Sequence, residues 1–339
     1  MPRELDDFSA DELLLELRAR EDRDLNGGDP ERGDREAAAP PDEEPDEDET
    51  DLNADLADVE TQEIGRVLYD KQKVIYGVDD RRDVFQITDA ALLQDADCVV
   101  ALFEKGNVKD NGDGTSSLVT TSFQAAHGVC NNEPFRKQPV GAFCSGFLVA
   151  RDVVATAGHC VDPPNTPALA DIRFVFGFRM VDANTPPGKI PNGEIYRGAQ
   201  LIGRQLTQSG IDWALVRLDR PVQNHRPAPV RRRKRIGTGA RIHVIGHPVG
   251  LPAKFAGGAK VRDNTPSPFF VANLDTYGGN SGSPVFNSKT HKVEGILVRG
   301  ERDFTQQGNC LVSLVCPTTG CRGEDVTRIT KLAAKIPPA

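Results

Sequence analysis

From about residue 74 onward, apolar side chains fall in short runs broken by glycine, proline and polar turn residues. Short apolar runs bounded in this way read as β-strands. One group covers residues 98–103, 117–121, 142–149, 153–155, 172–178, 194–201 and 213–218, and a second covers 241–246, 269–274, 282–286 and 293–298. Between them lies 221–239, with Pro221, Pro227, Pro229 and the basic run Arg231-Arg232-Arg233-Lys234-Arg235. The pattern predicts an all-β sandwich or barrel in two halves of similar size. The basic run reads as a solvated linker between the halves, ahead of a nucleic-acid or processing patch. Leu332 and Ile336, four residues apart, predict a final helix over about 324–335.

The first 73 residues follow different rules. Ser9 followed by Glu12 fits a capping box and predicts a short helix over 9–20. From Glu21 to about Glu60 the chain is rich in Asp and Glu, carries Pro40, Pro41 and Pro45, and has no aromatic residue. It cannot bury enough apolar surface to offset chain entropy and is expected to be disordered. Residues 1–70 carry a net charge of −19, and the rest of the chain carries +10. The arm is a solvated tail or linker on the plain reading, and a regulatory arm docking on the basic body on the sharper one. No aromatic–basic interleaving accompanies the positive body, so a nucleic-acid partner is not expected. No apolar run is long enough for a membrane span.

Seven cysteines, at 98, 130, 144, 160, 310, 316 and 321, are spaced more like loop staples than metal knuckles and favour an oxidising compartment. The N-terminus shows no secretory signal pattern, which pulls the other way and leaves the compartment open.

Three stretches carry chemistry. In Gly279-Asn280-Ser281-Gly282-Ser283-Pro284 a serine sits between glycines, which permit unusual backbone angles and leave N–H groups uncovered for a developing oxyanion. Thr156-Ala157-Gly158-His159-Cys160 ends an apolar run with a histidine, a residue suited to general-base work. In Asp212-Trp213-Ala214-Leu215-Val216-Arg217-Leu218 a carboxylate opens an apolar strand, where burial would demand a partner such as a histidine N–H. Each has a plain reading as well: a loop serine, a structural histidine, an edge or turn aspartate. Together, in the order His, Asp, Ser, they form a nucleophile, a base and an orienting group.

With these blocks, and with Cys144-Ser145-Gly146-Phe147-Leu148-Val149 ahead of the histidine, the chain resembles trypsin-like serine endopeptidases of the chymotrypsin fold. It is closer to the bacterial glutamyl-endopeptidase-like branch than to the animal digestive enzymes. Residues 74–81 resemble the start of mature bacterial enzymes. The resemblance implies two six-stranded antiparallel β-barrels, the first over about 95–220 and the second over about 238–322, within a protease domain of residues 74–339. It implies His159, Asp212 and Ser281 as the catalytic residues and the N–H groups of Gly279 and Ser281 as the oxyanion hole. It further implies a Cys144–Cys160 disulfide, a protein or peptide substrate, and substrate-binding positions at Asp275, Thr276, Val298 and Gly300. No cofactor or metal is expected.

The chain departs from the family pattern at two places. Asn280 stands where the animal enzymes carry the aspartate that pairs with a newly cut N-terminus. Leu297 stands where glutamate-selecting relatives carry a histidine, so glutamate preference is not expected. Asp275, six residues before Ser281, matches the pocket-floor aspartate of trypsin and would favour Lys or Arg in the substrate. Cleavage after Lys73 would then remove the acidic segment as a pro-segment. A catalytically silent binding module on the same fold is the alternative from another class. Pairing of Cys98, Cys130, Cys310, Cys316 and Cys321 stays open. His243 and His247 read as a surface and a loop residue, with no metal between them.

Overall fold

The computed structural model describes residues 75–163, 165–207, 209–300 and 303–337, together with the single residues 16 and 59. The chain divides into two units, Met1–Gln72 and Lys73–Ala339. The expected helix over 9–20 and the acidic stretch lie outside the described residues, apart from those two positions. The fold described is that of the second unit.

Twelve strands build two closed antiparallel barrels. The first is made of β1 (Val99–Glu104), β2 (Cys144–Ala150), β3 (Val153–Thr156), β4 (Ile172–Val175), β5 (Ile195–Leu206) and β6 (Asp212–Leu218). The second is made of β7 (Arg241–Gly246), β8 (Lys254–Asp263), β9 (Phe269–Ala272), β10 (Pro284–Asn287), β11 (Val293–Arg299) and β12 (Glu324–Arg328). Around the first barrel the order is β1-β2-β3-β6-β5-β4, and around the second β7-β8-β9-β12-β11-β10, the same path walked twice. The helix α1 (Ala90–Asp97) is capped by Asp89 and leads into β1. Closure removes the exposed strand edges that an open sheet would present.

The apolar runs explain the first barrel. Every residue of β2 is buried, as are all but one of β6, and Phe147, Leu148, Phe174, Trp213, Leu215 and Val216 meet in one core. Each such side chain contributes about 1.5–3 kcal/mol on leaving water. That core continues into the second barrel through Ile245, Phe286 and Ile296, so the barrels share an apolar seam.

Two strands of the second barrel depart from the sequence reading. β8 has no apolar run, and Gly257 and Gly258 interrupt it. Ile242 pairs with Ala259 and Val244 with Ala256, so an extra residue bulges from β8 at the glycines, with Gly258 at φ +70°. The expected helix over 324–335 is not there. Glu324–Arg328 is the strand that closes the barrel between β9 and β11, and only Ile329–Lys331 forms a single 3₁₀ turn. Leu332 and Ile336 are buried, but a succession of tight turns places them, so a four-residue spacing does not require an α-helix.

The basic run is also not wholly solvated. Arg231 forks onto the fully buried carboxylate of Glu294, and Arg232 donates to the carbonyls of Ala333, Ile336 and Pro337. These arginines fasten the linker and the C-terminal turns to the second barrel. Upstream, Ile75–Tyr76 pairs in parallel with Val315–Cys316, and Arg82–Asp83 adds to β8.

Candidate functional site

β3 ends at Thr156, and a one-turn 3₁₀ helix, Gly158–Val161, swings His159 out of the barrel wall. Position 158 needs a glycine, because a Cβ there would meet the Gln205 carbonyl at 2.9 Å and Asp212 Oδ1 at 3.0 Å. Asp212, at the start of β6, is almost fully buried. Its Oδ1 accepts the N–H of Gly158 at 2.5 Å and of His159 at 3.1 Å, while Oδ2 lies 2.5 Å from His159 Nδ1. Burial pushes the Asp212 carboxyl up. The charge and hydrogen bond of His159, with Arg299 and the backbone N–H behind them, outweigh that and hold it below the ordinary value. An ionised carboxylate only accepts, so the shared proton sits on Nδ1 and the Nε2 lone pair faces away from Asp212.

Residues that the sequence reading does not single out support this pair. Thr327 Oγ1, on β12, accepts the Asp212 N–H at 3.2 Å. Arg204 Nε donates to the Gly158 carbonyl at 2.9 Å, and its Nη2 pairs with Asp162 at 2.5 Å. Arg299, on β11, donates to Gly210 O at 3.1 Å, two residues before Asp212.

The serine loop is held by the first barrel. Ser145 N–H donates to the Ser281 carbonyl at 2.8 Å, and Ser145 Oγ donates to Gly279 O at 2.8 Å. Gly282 N–H donates to Leu297 O at 2.8 Å. Gly279 lies at φ +77° and Gly282 at φ +90°, and a Cβ on Gly282 would overlap Ser145 O and Thr156 Oγ1. The glycines therefore set the approach of this loop to the end of β3. Cys144 and Cys160 are disulfide-bonded, and Cys160 Sγ lies 3.5 Å from His159 Nε2 and 3.6 Å from the Ser281 carbonyl oxygen. The same sulfur thus touches the histidine's outer nitrogen and the serine's backbone, and the three separated blocks meet. Asn280 is buried, with its Oδ1 accepting from Ser283 Oγ at 3.3 Å.

The positions expected to contact substrate divide. Asp275 is buried, and both its oxygens face the lead-in, accepting the N–H of Tyr76 at 2.7 Å and of Asp80 at 3.1 Å. Burial pushes the Asp275 carboxyl up, against the two N–H bonds. Asp80 is pushed up to about 7, first by burial and then by the charge of Asp275. Thr276 turns to a different carboxylate, its Oγ1 donating to Glu324 Oε2 at 2.7 Å. Glu324 is fully buried at the start of β12, and a Cβ on Gly300 would overlap its carboxylate. Val298 is buried on β11. Glu324 therefore lies between Thr276 and Gly300. No local signal marks it, because its stretch has the polarity of a helix surface.

Cys130 bonds to Cys310 and Cys316 to Cys321, while Cys98 is buried outside any disulfide. His243 is buried on β7 rather than at the surface, while His247 does sit in the loop that follows β7 and is buried there. β7 faces apolar neighbours on both sides, and His243 lies flat on Phe286 with ring centroids 5.1 Å apart. His247 Nδ1 bonds to Leu251 O at 3.0 Å, and burial pushes its ring down to about 4. A cleft bordered by Thr121, Lys137, Phe178 and Lys189 lies on the flank of the first barrel and includes none of His159, Asp212 or Ser281.

A comparison with curated protein sequences finds no match. Among solved structures, the chain is similar to human heparin binding protein at 14% identity and a TM-score of 0.46, over 77% of this chain and 94% of that one. Residues 144–296, the stretch that holds His159, Asp212 and Ser281, match the family model of the trypsin-like peptidase domain.

Proposed function

We propose that this chain is a serine endopeptidase in which Ser281 is the nucleophile, His159 the general base and acid, and Asp212 the orienting carboxylate. The observation that carries the reading is Asp212, buried and bound to His159 Nδ1 and to the backbone N–H groups of Gly158 and His159, with the Cys160 sulfur in contact with both His159 Nε2 and the Ser281 carbonyl. A serine hydroxyl is a weak nucleophile at neutral pH and needs a base at the moment of attack. Ser281 Oγ bonds to the scissile carbonyl carbon while His159 Nε2 takes its proton. The carbonyl oxygen becomes an oxyanion facing the N–H groups of Gly279 and Ser281. Loss of one such donor costs about 10²–10³ in turnover. The imidazolium, stabilised by Asp212, then returns the proton to the leaving amine, and an acyl ester remains on Ser281. Water repeats the sequence with His159 as base and frees the acid.

For specificity, the proposal keeps the Lys/Arg preference but moves its source from Asp275 to Glu324. Asp275 already binds two backbone amides of the lead-in, whereas Glu324 lies against Thr276 and Gly300 in the loop and strand that flank Ser281. Glutamate preference, the habit of the bacterial branch, is not part of the proposal, because Leu297 is apolar and buried. Digestion of a peptide library tests both parts. Cuts after Lys and Arg that vanish in Ser281→Ala are expected, and equal or better rates after Phe would reject the Lys/Arg preference. The acidic segment is proposed as a pro-segment or docking arm released by a cut after Lys73. Mass spectrometry of purified protein tests this, and a fully active intact chain would reject release.

A further inference from the structure

A second cluster of chemically capable side chains lies away from this site. Asp95 on α1, His243 on β7 and His291 in the hairpin between β10 and β11 each offer one donor atom, and the three atoms lie within 4.8 Å of one another. Asp95 Oδ2 is 3.0 Å from His243 Nε2 and 2.6 Å from His291 Nδ1. The histidines come from the second barrel and the aspartate from the helix that leads into the first.

We propose that Asp95, His243 and His291 form a divalent-metal site of the zinc class. Two imidazole nitrogens and one carboxylate oxygen are a donor set that zinc takes, with a fourth position for water. Bond lengths of about 2.0–2.1 Å place tetrahedral donors about 3.3 Å apart. The two carboxylate–imidazole spacings, 3.0 and 2.6 Å, need only a sub-ångström widening, and all three donor atoms already lie within 4.8 Å of one another.

The surroundings hold the donors as a metal site requires. His243 is buried and stacked on Phe286, and its Nδ1 lies 3.1 Å from Ser288 Oγ, the outer contact that fixes a ring with Nε2 turned inward. Asp95 is buried as well, so its carboxylate cannot be satisfied by bulk water. His291 is partly exposed and gives an entry path. It sits at φ +54°, held there by its N–H to Asn287 O at 2.8 Å, while the Asn287 side chain accepts the N–H groups of Lys289 and Thr290. Among the described residues, the other trio of this kind, Cys144, His159 and Cys160, offers no thiolates because its sulfurs are joined.

An ion here would tie α1 to the second barrel. In the proposed triad, His159 and Asp212 come from the first barrel and Ser281 from the second, so the tie would help fix the two halves to each other.

The test uses the full chain carrying His159→Ala, which removes the catalytic imidazole as a rival ligand and prevents self-cleavage. After chelator treatment and dialysis, Zn²⁺ alone is titrated by calorimetry, and Co²⁺ is added separately to read the coordination geometry. One Zn²⁺ per chain and a tetrahedral Co²⁺ spectrum are expected. His291→Ala, on the exposed hairpin, lowers the affinity by more than about 100-fold, beyond the about 10–100-fold expected of the outer-contact variant Ser288→Ala. Zn²⁺ raises the melting temperature of the parent and not of His291→Ala. No stoichiometric binding, or binding unchanged in both His291→Ala and Asp95→Asn, would overturn the site and leave a hydrogen-bonded Asp–His cluster.

Discussion

The two barrels follow the same strand path, yet their interiors differ. The first is filled by apolar side chains, with Ser145, Thr156 and Asp212 the main polar groups inside its strands. The second buries Glu294, Glu324, Asp325, Thr327 and Arg328 on β11 and β12, and His243 on β7. Buried polar groups persist only where partners satisfy them, and here arginines do much of that work: Arg231 for Glu294, and Arg299 and Arg322 for Asp325. One path can thus be closed by two chemistries. The apolar barrel mounts His159 and Asp212, the proposed base and its carboxylate. The polar barrel supplies the loop of Ser281, the proposed nucleophile, and Glu324, the proposed specificity carboxylate.

The largest expected effect tests the first barrel's one buried carboxylate. Asp212→Asn keeps the shape but removes the acceptor that sets the His159 tautomer, and kcat is expected to fall about 10⁴-fold. Leu215→Ala, in the apolar core of the same strand, instead costs about 2–5 kcal/mol of stability in denaturant unfolding. A smaller loss there would mean that the first barrel is not the tightly packed half. Next comes the second barrel: Glu324→Gln lowers kcat/KM for an Arg peptide relative to a Phe peptide, on the order of 10²-fold. Asp275→Asn leaves that ratio nearly unchanged. The reverse pattern would return the specificity role to Asp275.

The smallest effect concerns pH. Burial, and after it the charge of Asp275, pushes the Asp80 carboxyl up from an ordinary 3.8 to about 7 in the fold. Between those values the folded state keeps a proton that the unfolded state has lost, so stability falls as pH rises through this window. Asp80→Asn is therefore expected to raise the melting temperature at pH 8 and to leave it unchanged near pH 3. A rise at both would show that the effect is not ionic.

The same contrast explains what is legible in the sequence. β2, β3 and β6 are buried apolar runs, and runs of that kind announce strands. β8 goes unannounced because its glycines and lysines carry no period, and a bulge absorbs the misfit. β12 reads as a helix because Glu324, Asp325 and Arg328 look like a helix surface until their partners on distant strands are known. The three chemical blocks are visible because each carries its own local requirement: glycines where loops touch, and a carboxylate opening an apolar strand. Their meeting is visible only through their order. The supporting contacts of Thr327, Arg204 and Arg299, the burial of His243 and the place of Glu324 depend on tertiary approach, which no local pattern encodes.

The central claim is that Ser281 is activated by His159. Its most direct measurement is mass spectrometry of the full chain after exposure to an organophosphonate that reacts only with an activated serine. The account predicts one adduct per chain, mapped to Ser281 and lost in both Ser281→Ala and His159→Ala. An unlabelled wild-type chain, or labelling that persists in His159→Ala, would contradict it and favour a silent binding module on the same two barrels.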